Sequence, residues 1–459
     1  MEKTLALVVS MAFFGASLTI PAFAAVKAGS TCTKAGGTST VAGKKFTCIK
    51  SGKKLVWDKG VAIAKPAAQP MSSATPTAGS STTSTIIVEE KLPAVSSDAS
   101  FVSVDQCQLS STLSHSPPFD LGFKRNPNWA ASTGTLNIAV LFLSYQDAQL
   151  NPLAIKEYES VQEEKAKKFY SNSSYGKLTI NFVNSSRIYS VAKSTASYHL
   201  DSPNADNTSM YQEAMQVGAS EFDFTKFDEL LLVVPDEIVA KDLGPAYNFQ
   251  AKFGSATIKL GVAGAYNNPS NHRLVNSGYL AHEIGHTLGL SHPYLSSHAS
   301  GIWDIMGYDN TFAPDLFTWE KFILGWISPQ QVDCLSSTPI QETTAYLEAS
   351  EIASSEKKML IIRLSNTQAL VVESRRKSAL DLIDTSQEGV LIYKLDLDLG
   401  FNEGIISLIG NQEKNMVFEY QQLFSNSLQQ GESVITEGLK ISVLKHAASG
   451  DYISIKKTT

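Results

Sequence analysis

Three histidines in one short segment restrict this chain more than any other feature of its sequence. The segment 281–292 reads AHEIGHTLGLSH and has the pattern H-E-x-x-H-x-x-G-x-x-H. His282 and His286 are four residues apart, so on a helix they share one face, with Cβ atoms about 5–6 Å apart. Two imidazoles at this spacing can bind one metal ion. We therefore expect His282 and His286 to be metal ligands on a single helix.

The third histidine requires that this helix end before it. Continuing the helix from His286 to His292 would add about 240° of rotation and roughly 9 Å of rise, which turns the third ring away from the metal. Gly289 lies between the two, and glycine adopts the left-handed conformation that ends a helix at little cost. We expect the chain to turn back at Gly289 and to bring His292 to the metal.

Glu283 directly follows the first histidine of the motif. One step off the histidine face, its carboxylate can hydrogen-bond a water beside the metal without binding the metal itself, which is the position of a general base. Three histidines leave one position of a tetrahedral zinc for water and substrate. The motif therefore predicts one catalytic Zn²⁺ with Glu283 as the base.

A second motif, Asp304-Ile305-Met306-Gly307-Tyr308, lies a short way downstream. Together with the histidine motif it resembles the metzincin zinc peptidases. That resemblance implies that Met306 forms an apolar floor under the histidines and that Tyr308 stabilises the oxyanion of the transition state. It also implies an α+β fold, with a twisted mixed sheet and an active-site helix. The strand before that helix would then be the edge that pairs with an extended substrate.

Four other segments resemble particular groups of peptidases. The segments 169–178 and 317–327 resemble secreted bacterial peptidases of the immune inhibitor A type, and the second is also similar to gametolysin-like enzymes. The segments 372–376 and 389–396 resemble the β-rich region that follows the catalytic domain in the immune inhibitor A group. Members of that group often carry an aspartate-containing segment where this chain has His292. The resemblance covers roughly residues 100 to 459.

The N-terminus predicts the compartment. A short charged start is followed by an apolar stretch from Leu5 to Ile20, and Ala22-Phe23-Ala24 then forms a small-residue cleavage site. This arrangement is typical of a secretory signal peptide, here 1–24. No other run approaches the roughly 18 apolar residues of a transmembrane helix. We expect a secreted, extracellular protein with no membrane span.

The four cysteines are Cys32, Cys48, Cys107 and Cys334. In an oxidising compartment they allow three disulfide pairings. We favour Cys32 with Cys48, because these two bracket a stretch with too few apolar residues to form a core. Cys107 then pairs with Cys334 by elimination. The alternative is that Cys107 binds the zinc as a latency switch, although its neighbours lack the switch sequence of matrix metalloproteinases.

Composition divides the rest of the chain. Residues 25–60 form a small cysteine-bridged module whose lysines and Trp57 suggest contact with the cell wall, or alternatively only a solvated basic face. An Ala/Pro/Ser/Thr-rich linker follows at 61–97. Alternating strand and helix patterns predict the peptidase domain at 98–335, and short β-type runs predict a separate C-terminal β-sandwich at 336–459.

Two further expectations concern other ligands. Hard oxygen ligands cluster in one probable loop and suggest Ca²⁺, although a solvated acidic turn is the alternative; they are Asp396, Asp398, Asn402 and Glu403. The net charge of -6 and the pI near 5.8 argue against nucleic acid as a partner, because phosphate binding requires clustered Lys and Arg. We therefore expect a protein or peptide substrate.

The function predicted from the sequence is that of a secreted zinc endopeptidase. One alternative is a catalytically idle, zinc-stabilised extracellular binding protein or adhesin. Another is a zinc amidase that acts on cell-wall peptides.

Overall fold

The computed structural model describes most of the chain in separate stretches. They are 27, 29–31, 38–41, 44–62, 92–97, 100–112, 121–199, 206–235, 251–258, 261–265, 278–293, 303–307, 314–336, 342–377, 388–399, 403–410 and 427–458. The chain divides into two compact units, Met1–Val88 and Glu89–Thr459. The predicted signal peptide 1–24 and most of the predicted linker lie outside the described residues.

The first unit contains a small antiparallel sheet. Its strands are β1 (Thr38–Val41), β2 (Lys44–Ser51), β3 (Lys54–Trp57) and β4 (Val61–Ala62). Strand β2 pairs with each of the other three. Phe46 and Cys48 are its buried side chains within the described residues. The Asp58 carboxylate closes the turn after β3 by accepting hydrogen bonds from the Thr47 and Gly60 amides.

The second unit begins with a parallel sheet in the order β10-β7-β5-β6. Its strands are β5 (Gly134–Ser144), β6 (Leu178–Ser190), β7 (Glu229–Val234) and β10 (Gly261–Ala265). All four described strands run parallel, whereas a mixed sheet was expected. Helices connect β5 to β6 and β6 to β7, and such crossovers produce parallel pairs. A hairpin of β8 (Ala251–Phe253) and β9 (Ala256–Ile258) lies between β7 and β10.

Helices cover the two faces of the parallel sheet. The first helical stretch consists of α1 (Leu153–Glu157), a π-helical segment (Tyr158–Glu163) and α2 (Glu164–Ser173). The remaining α-helices of the described part are α3 (Asn207–Gly218), α4 (Tyr279–Thr287) and α5 (Thr318–Ile323). Alternate residues of β5 and β7 contribute to two separate apolar cores. Both central strands are therefore buried on both faces.

Short 3₁₀ helices complete the helical elements. They are Val104–Cys107, Thr195–Tyr198, Phe224–Lys226 and Pro329–Gln331.

The described helices include none with the length and apolar composition that a membrane crossing requires.

Two further sheets form a sandwich after the helices. The five-stranded sheet, which we call the inner sheet, has the order β11-β13-β14-β15-β16. Its strands are β11 (Val332–Ser336), β13 (Met359–Arg363), β14 (Gln368–Arg375), β15 (Gly389–Asp396) and β16 (Ile406–Ile409). The four-stranded outer sheet is antiparallel. Its strands are β12 (Thr343–Glu348), β17 (Ser433–Thr436), β18 (Leu439–Ala447) and β19 (Gly450–Lys457).

The inner sheet packs on both sides. Leu360 and Ile362 belong to the core shared with the outer sheet, whereas Met359 and Ile361 belong to the core that also contains residues of α4 and the parallel sheet. The boundary predicted at 335/336 falls within β11, which pairs with β13. The C-terminal β-rich region therefore shares an apolar core with the histidine-bearing region, within one α+β unit in which sheets dominate.

A chain segment before β5 runs across these layers. Ser96 donates from its amide to the Thr344 carbonyl, and Val102 donates to the Cys334 carbonyl. Cys107 and Cys334 form a disulfide with Cα atoms 6.0 Å apart. The last part of this segment, 121–132, reaches the end of α4, where the Ala130 amide donates to the Thr287 carbonyl. We call residues 121–132 the strap.

Candidate functional site: a buried histidine cluster

The three motif histidines meet at the end of α4. His292 Nε2 lies 3.1 Å from His282 Nε2 and 3.0 Å from His286 Nε2. The three potential ligand atoms all lie within 4.8 Å of one another. His282 and His286 are buried, and His292 is partly exposed. This triad has the geometry to hold a metal ion.

Hydrogen bonds orient the two helix histidines. His282 Nδ1 lies 2.9 Å from the Ile305 carbonyl oxygen, and His286 Nδ1 lies 2.8 Å from the Leu290 carbonyl oxygen. A carbonyl accepts only, so each Nδ1 carries the proton and each Nε2 keeps its lone pair. Burial and the two neighbouring imidazoles hold the pKa of His286 well below its ordinary value. His286 is therefore neutral, which is the form that binds metals.

Gly289 ends α4 in the way the sequence predicted. Its φ is +92°, in the left-handed region that favours glycine. The Gly289 amide donates to the His286 carbonyl, and the Leu290 amide donates to the Gly285 carbonyl. This pair of bonds is a Schellman motif. The chain reverses there, and His292 reaches the other two imidazoles.

Met306 lies beneath the histidine helix. It is fully buried, and a Cβ placed on Gly285 would lie 2.5 Å from the Met306 sulfur. The glycine within the motif therefore allows the methionine to approach the helix backbone directly. Tyr170 also contacts α4, because its hydroxyl donates to the Ala281 carbonyl at 2.5 Å.

Glu283 is buried and directly follows His282 on α4. Its surroundings include the tyrosines Tyr158, Tyr170 and Tyr211. Burial, with a smaller contribution from the charge of Glu283, raises the pKa of each of these phenols above its ordinary value. The tyrosines therefore remain protonated at neutral pH.

A second buried polar cluster lies under the Met306 turn. Asp304 accepts a hydrogen bond from the Met306 amide, and Glu320 accepts one from the Phe317 amide. Burial raises the pKa of both carboxyls, which interact with each other. Arg375 lies over the Trp303 ring and pairs with Glu373. The turn that carries Met306 thus rests on a network that includes β14 of the inner sheet.

The remaining predicted site residues fall in different places. Tyr308 and Cys32 lie outside the described residues, so their assignments stay predictions. Cys48 is disulfide-bonded. Cys107 is bonded to Cys334, so its sulfur is not available to the metal. The latency-switch alternative is therefore contradicted.

In the predicted calcium loop, Asp396 and Asp398 accept hydrogen bonds from neighbouring protein groups. Asp398 Oδ1 accepts from the Thr112 amide and hydroxyl, and the Thr112 hydroxyl bond lowers the Asp398 pKa. Asp396 accepts from the Gln368 side chain and from the Asp398 amide. Asn402 lies outside the described residues. Within the described part of the chain, the histidine triad is the only cluster of three or more potential His, Cys, Asp or Glu ligands.

Several supporting residues were missed from the sequence. Gly285 occupies a variable position of the motif. Tyr170 lies in the segment 169–178, whose resemblance to immune inhibitor A-type peptidases assigns it no role. Arg125 and Trp129 come from the strap, more than a hundred residues before α4. Arg125 bonds the Leu288 carbonyl and Trp129 packs on Gly289, directly after α4, and such long-range contacts leave no local pattern.

The comparisons with known proteins include a distant structural likeness. No protein-family model and no curated protein sequence matches this chain. Among solved structures, a catalytically inactive form of OgpA from Akkermansia muciniphila, in complex with an O-glycopeptide (glycodrosocin) substrate, is 12% identical. The alignment covers 70% of this chain and 91% of OgpA, with a TM-score of 0.25. A TM-score this low does not support a functional assignment. The functional proposal therefore depends on the histidine site alone.

Proposed function

We propose that this protein is a secreted zinc-dependent endopeptidase. The observation that carries the proposal is the buried histidine triad with Glu283 on the same helix. Tetrahedral zinc with Zn–N bonds of about 2.0–2.1 Å places two ligand nitrogens roughly 3.3 Å apart. The Nε2 separations to His292 are 3.0 and 3.1 Å, and imidazole nitrogens are ligands that zinc prefers. The donor type and these two separations therefore match those of a zinc site.

The chain's own groups have distinct roles in the proposed reaction. His282, His286 and His292 would hold the ion, and the Ile305 and Leu290 carbonyls fix the orientation of two of these rings. Zinc in such a site acts as a Lewis acid and lowers the pKa of water towards about 7. Glu283 accepts the water's proton and returns it to the leaving amine. Tyr308 would stabilise the developing oxyanion, and Met306 supports the helix from below.

The edge of the parallel sheet nearest α4 in sequence is the proposed binding site for an extended peptide substrate. Strand β10 is at the edge of the described parallel sheet and is the last described strand before α4. An edge strand offers unpaired backbone groups that bind an extended peptide without strict sequence requirements. A protein or peptide substrate is therefore proposed, cleaved outside the cell after export by the segment 1–24.

Peptide-library cleavage by the purified mature chain tests this proposal. The wild-type protein should contain one zinc per chain and cleave internal peptide bonds. A chelator should abolish cleavage, and added zinc should restore it. Cleavage of cell-wall peptides alone would favour the amidase alternative. Zinc content without any cleavage would favour the binding-protein alternative.

His286→Ala provides the ligand control. The variant should lose stoichiometric zinc together with activity, because it lacks a buried ligand that the Leu290 carbonyl orients. His446→Ala is the matched histidine variant, because His446 lies on β18 and bonds Asp451. It should keep full zinc. Full zinc in His286→Ala would refute the ligand assignment.

A further inference from the structure

We propose that the strap positions the third metal ligand, His292, through Arg125 and Trp129. The inference rests on the proposed metal site but not on peptidase activity. Both residues contact the turn between the last helical ligand and His292, and neither belongs to the histidine motif.

Arg125 binds the C-terminal end of α4. Its Nη2 donates to the Leu288 carbonyl at 2.8 Å and to the Ala130 carbonyl at 3.0 Å, and its Nη1 donates to the Ser132 hydroxyl at 3.0 Å. The Ala130 amide donates to the Thr287 carbonyl. The last carbonyls of a helix have no partner within the helix. The strap therefore supplies partners for two of them, and a cation there also complements the helix dipole.

Trp129 covers the glycine at which the chain reverses. A Cβ placed on Gly289 would overlap the Trp129 ring, so the indole packs directly on the Gly289 backbone. The Arg125 guanidinium carbon lies 6.0 Å from the centre of the same ring. The arginine and the tryptophan thus contact consecutive residues of one backbone turn, Leu288 and Gly289.

The chain beyond His292 is held by the inner sheet. The Ile406 amide of β16 donates to the Pro293 carbonyl at 3.1 Å. His292 is therefore anchored by the strap before it and by the inner sheet after it. His282 and His286, in contrast, lie on the helix itself, and the Ile305 and Leu290 carbonyls orient their rings. The third ligand depends on contacts from distant parts of the chain, and the strap provides the ones at the turn.

Loss of the arginine should therefore be visible at the metal. Outer-shell partners of metal ligands typically contribute 10- to 100-fold to metal affinity. Without Arg125 the Leu288 carbonyl loses its charged donor, the turn gains freedom, and the His292 ring spreads over more positions. A lysine keeps the charge but cannot bridge three acceptors at once.

Cobalt substitution of the full-length mature protein tests the proposal. Co²⁺ replaces zinc in tetrahedral sites, and its visible absorption reports ligand geometry. Arg125→Met should bind Co²⁺ about 10- to 100-fold more weakly than wild type, with altered visible bands. Arg125→Lys should be intermediate. A generally destabilised fold would not by itself change the bands of bound Co²⁺.

Arg363→Met is the matched control. Arg363 also donates to a backbone carbonyl, that of Ser365 at 3.0 Å, but it lies at the end of β13. The control should bind Co²⁺ as wild type does. If Arg125→Met does not fold, the affinity and spectrum of Arg125→Lys decide the question. Wild-type affinity and spectrum in the folded variant would overturn the proposal, whereas failure of wild type to bind Co²⁺ would overturn the metal site itself.

Discussion

The inner and outer sheets of the C-terminal region differ in how many faces they bury. In β13, Ile361 faces the core shared with α4 and Ile362 faces the outer sheet, and both are fully buried. In β18 of the outer sheet, Ile441 is buried, whereas Lys440 is partly exposed. The sequences show the same difference. Strand β13 reads MLIIR without alternation, and β18 alternates apolar with polar residues over most of its length.

This difference shows which part of the β-rich region supports the site. A strand buried on both faces reads as a continuous apolar run, and one with a solvated face alternates. The inner sheet therefore belongs to the histidine-bearing core as much as to the sandwich. Arg375, at the end of such a strand, is also buried, and a buried charge requires a partner.

Arg375 offers the largest effect with which to test this contrast. It lies at the end of β14, fully buried, and its Nε is 2.6 Å from Glu351 Oε1 and its Nη1 is 3.0 Å from Glu373 Oε1. Arg375→Met leaves two buried carboxylates without their cation, and such a loss costs about 3–5 kcal/mol. Equilibrium unfolding in urea measures the loss.

A more exposed ion pair provides the control for that variant. Lys394 and Glu437 are partly exposed and pair at 2.7 Å. Lys394→Met should change the free energy of unfolding by no more than about 1 kcal/mol. Equal losses in the two variants would mean that the inner sheet does not bury Arg375 as described.

Neighbouring isoleucines test whether both faces of the inner sheet matter. Ile361→Ala and Ile362→Ala should each cost about 2–5 kcal/mol, because both remove a fully buried side chain. Lys440→Ala on the outer sheet should stay within about 0.5 kcal/mol. A small loss for Ile361→Ala alone would show that the sandwich is separable from the histidine-bearing core.

Glu229 extends the contrast to the parallel sheet, and its effect within any one pH unit is the smallest. It begins β7, a strand buried on both faces, and complete burial raises its pKa to about 8. An unfolded glutamate has a pKa of about 4.3, so between these values the folded state keeps a proton that the unfolded state releases. This contribution to stability is full below about pH 4 and is lost as pH rises towards 8.

The measurement is the pH dependence of unfolding of chelator-treated protein. Glu229→Gln is neutral at every pH, so it should remove up to about 1.4 kcal/mol per pH unit of the decline between pH 5 and 8. Glu164→Gln, on the exposed side of α2, should leave the slope unchanged. The same slope in Glu229→Gln and wild type would refute the raised pKa.

Local patterns in the sequence predicted the elements with strong periodicity. The spacing of His282 and His286 gave the helix, and Gly289 gave its end, because both depend on backbone geometry within a few residues. The alternating strand and helix patterns predicted within 98–335 occur in chain order as β5, α2, β6, α3 and β7.

Long-range contacts were not predictable in this way. The bond from Arg125 to Leu288 joins residues 163 apart in sequence, and nothing near either residue indicates it. The segment Glu373-Ser374-Arg375-Arg376 carries three charged side chains, yet all four residues are buried. Their charges are balanced by partners from other strands and loops, which a single sequence does not reveal.

Glu283→Gln tests the proposed peptidase function most directly. The amide keeps the size of the side chain but cannot accept the water's proton. The variant should bind one zinc per chain and unfold like wild type, while kcat/KM on a cleaved peptide falls about 10²- to 10⁴-fold. Equal cleavage by the zinc-loaded wild type and variant would contradict Glu283 as the general base and with it the proposed mechanism.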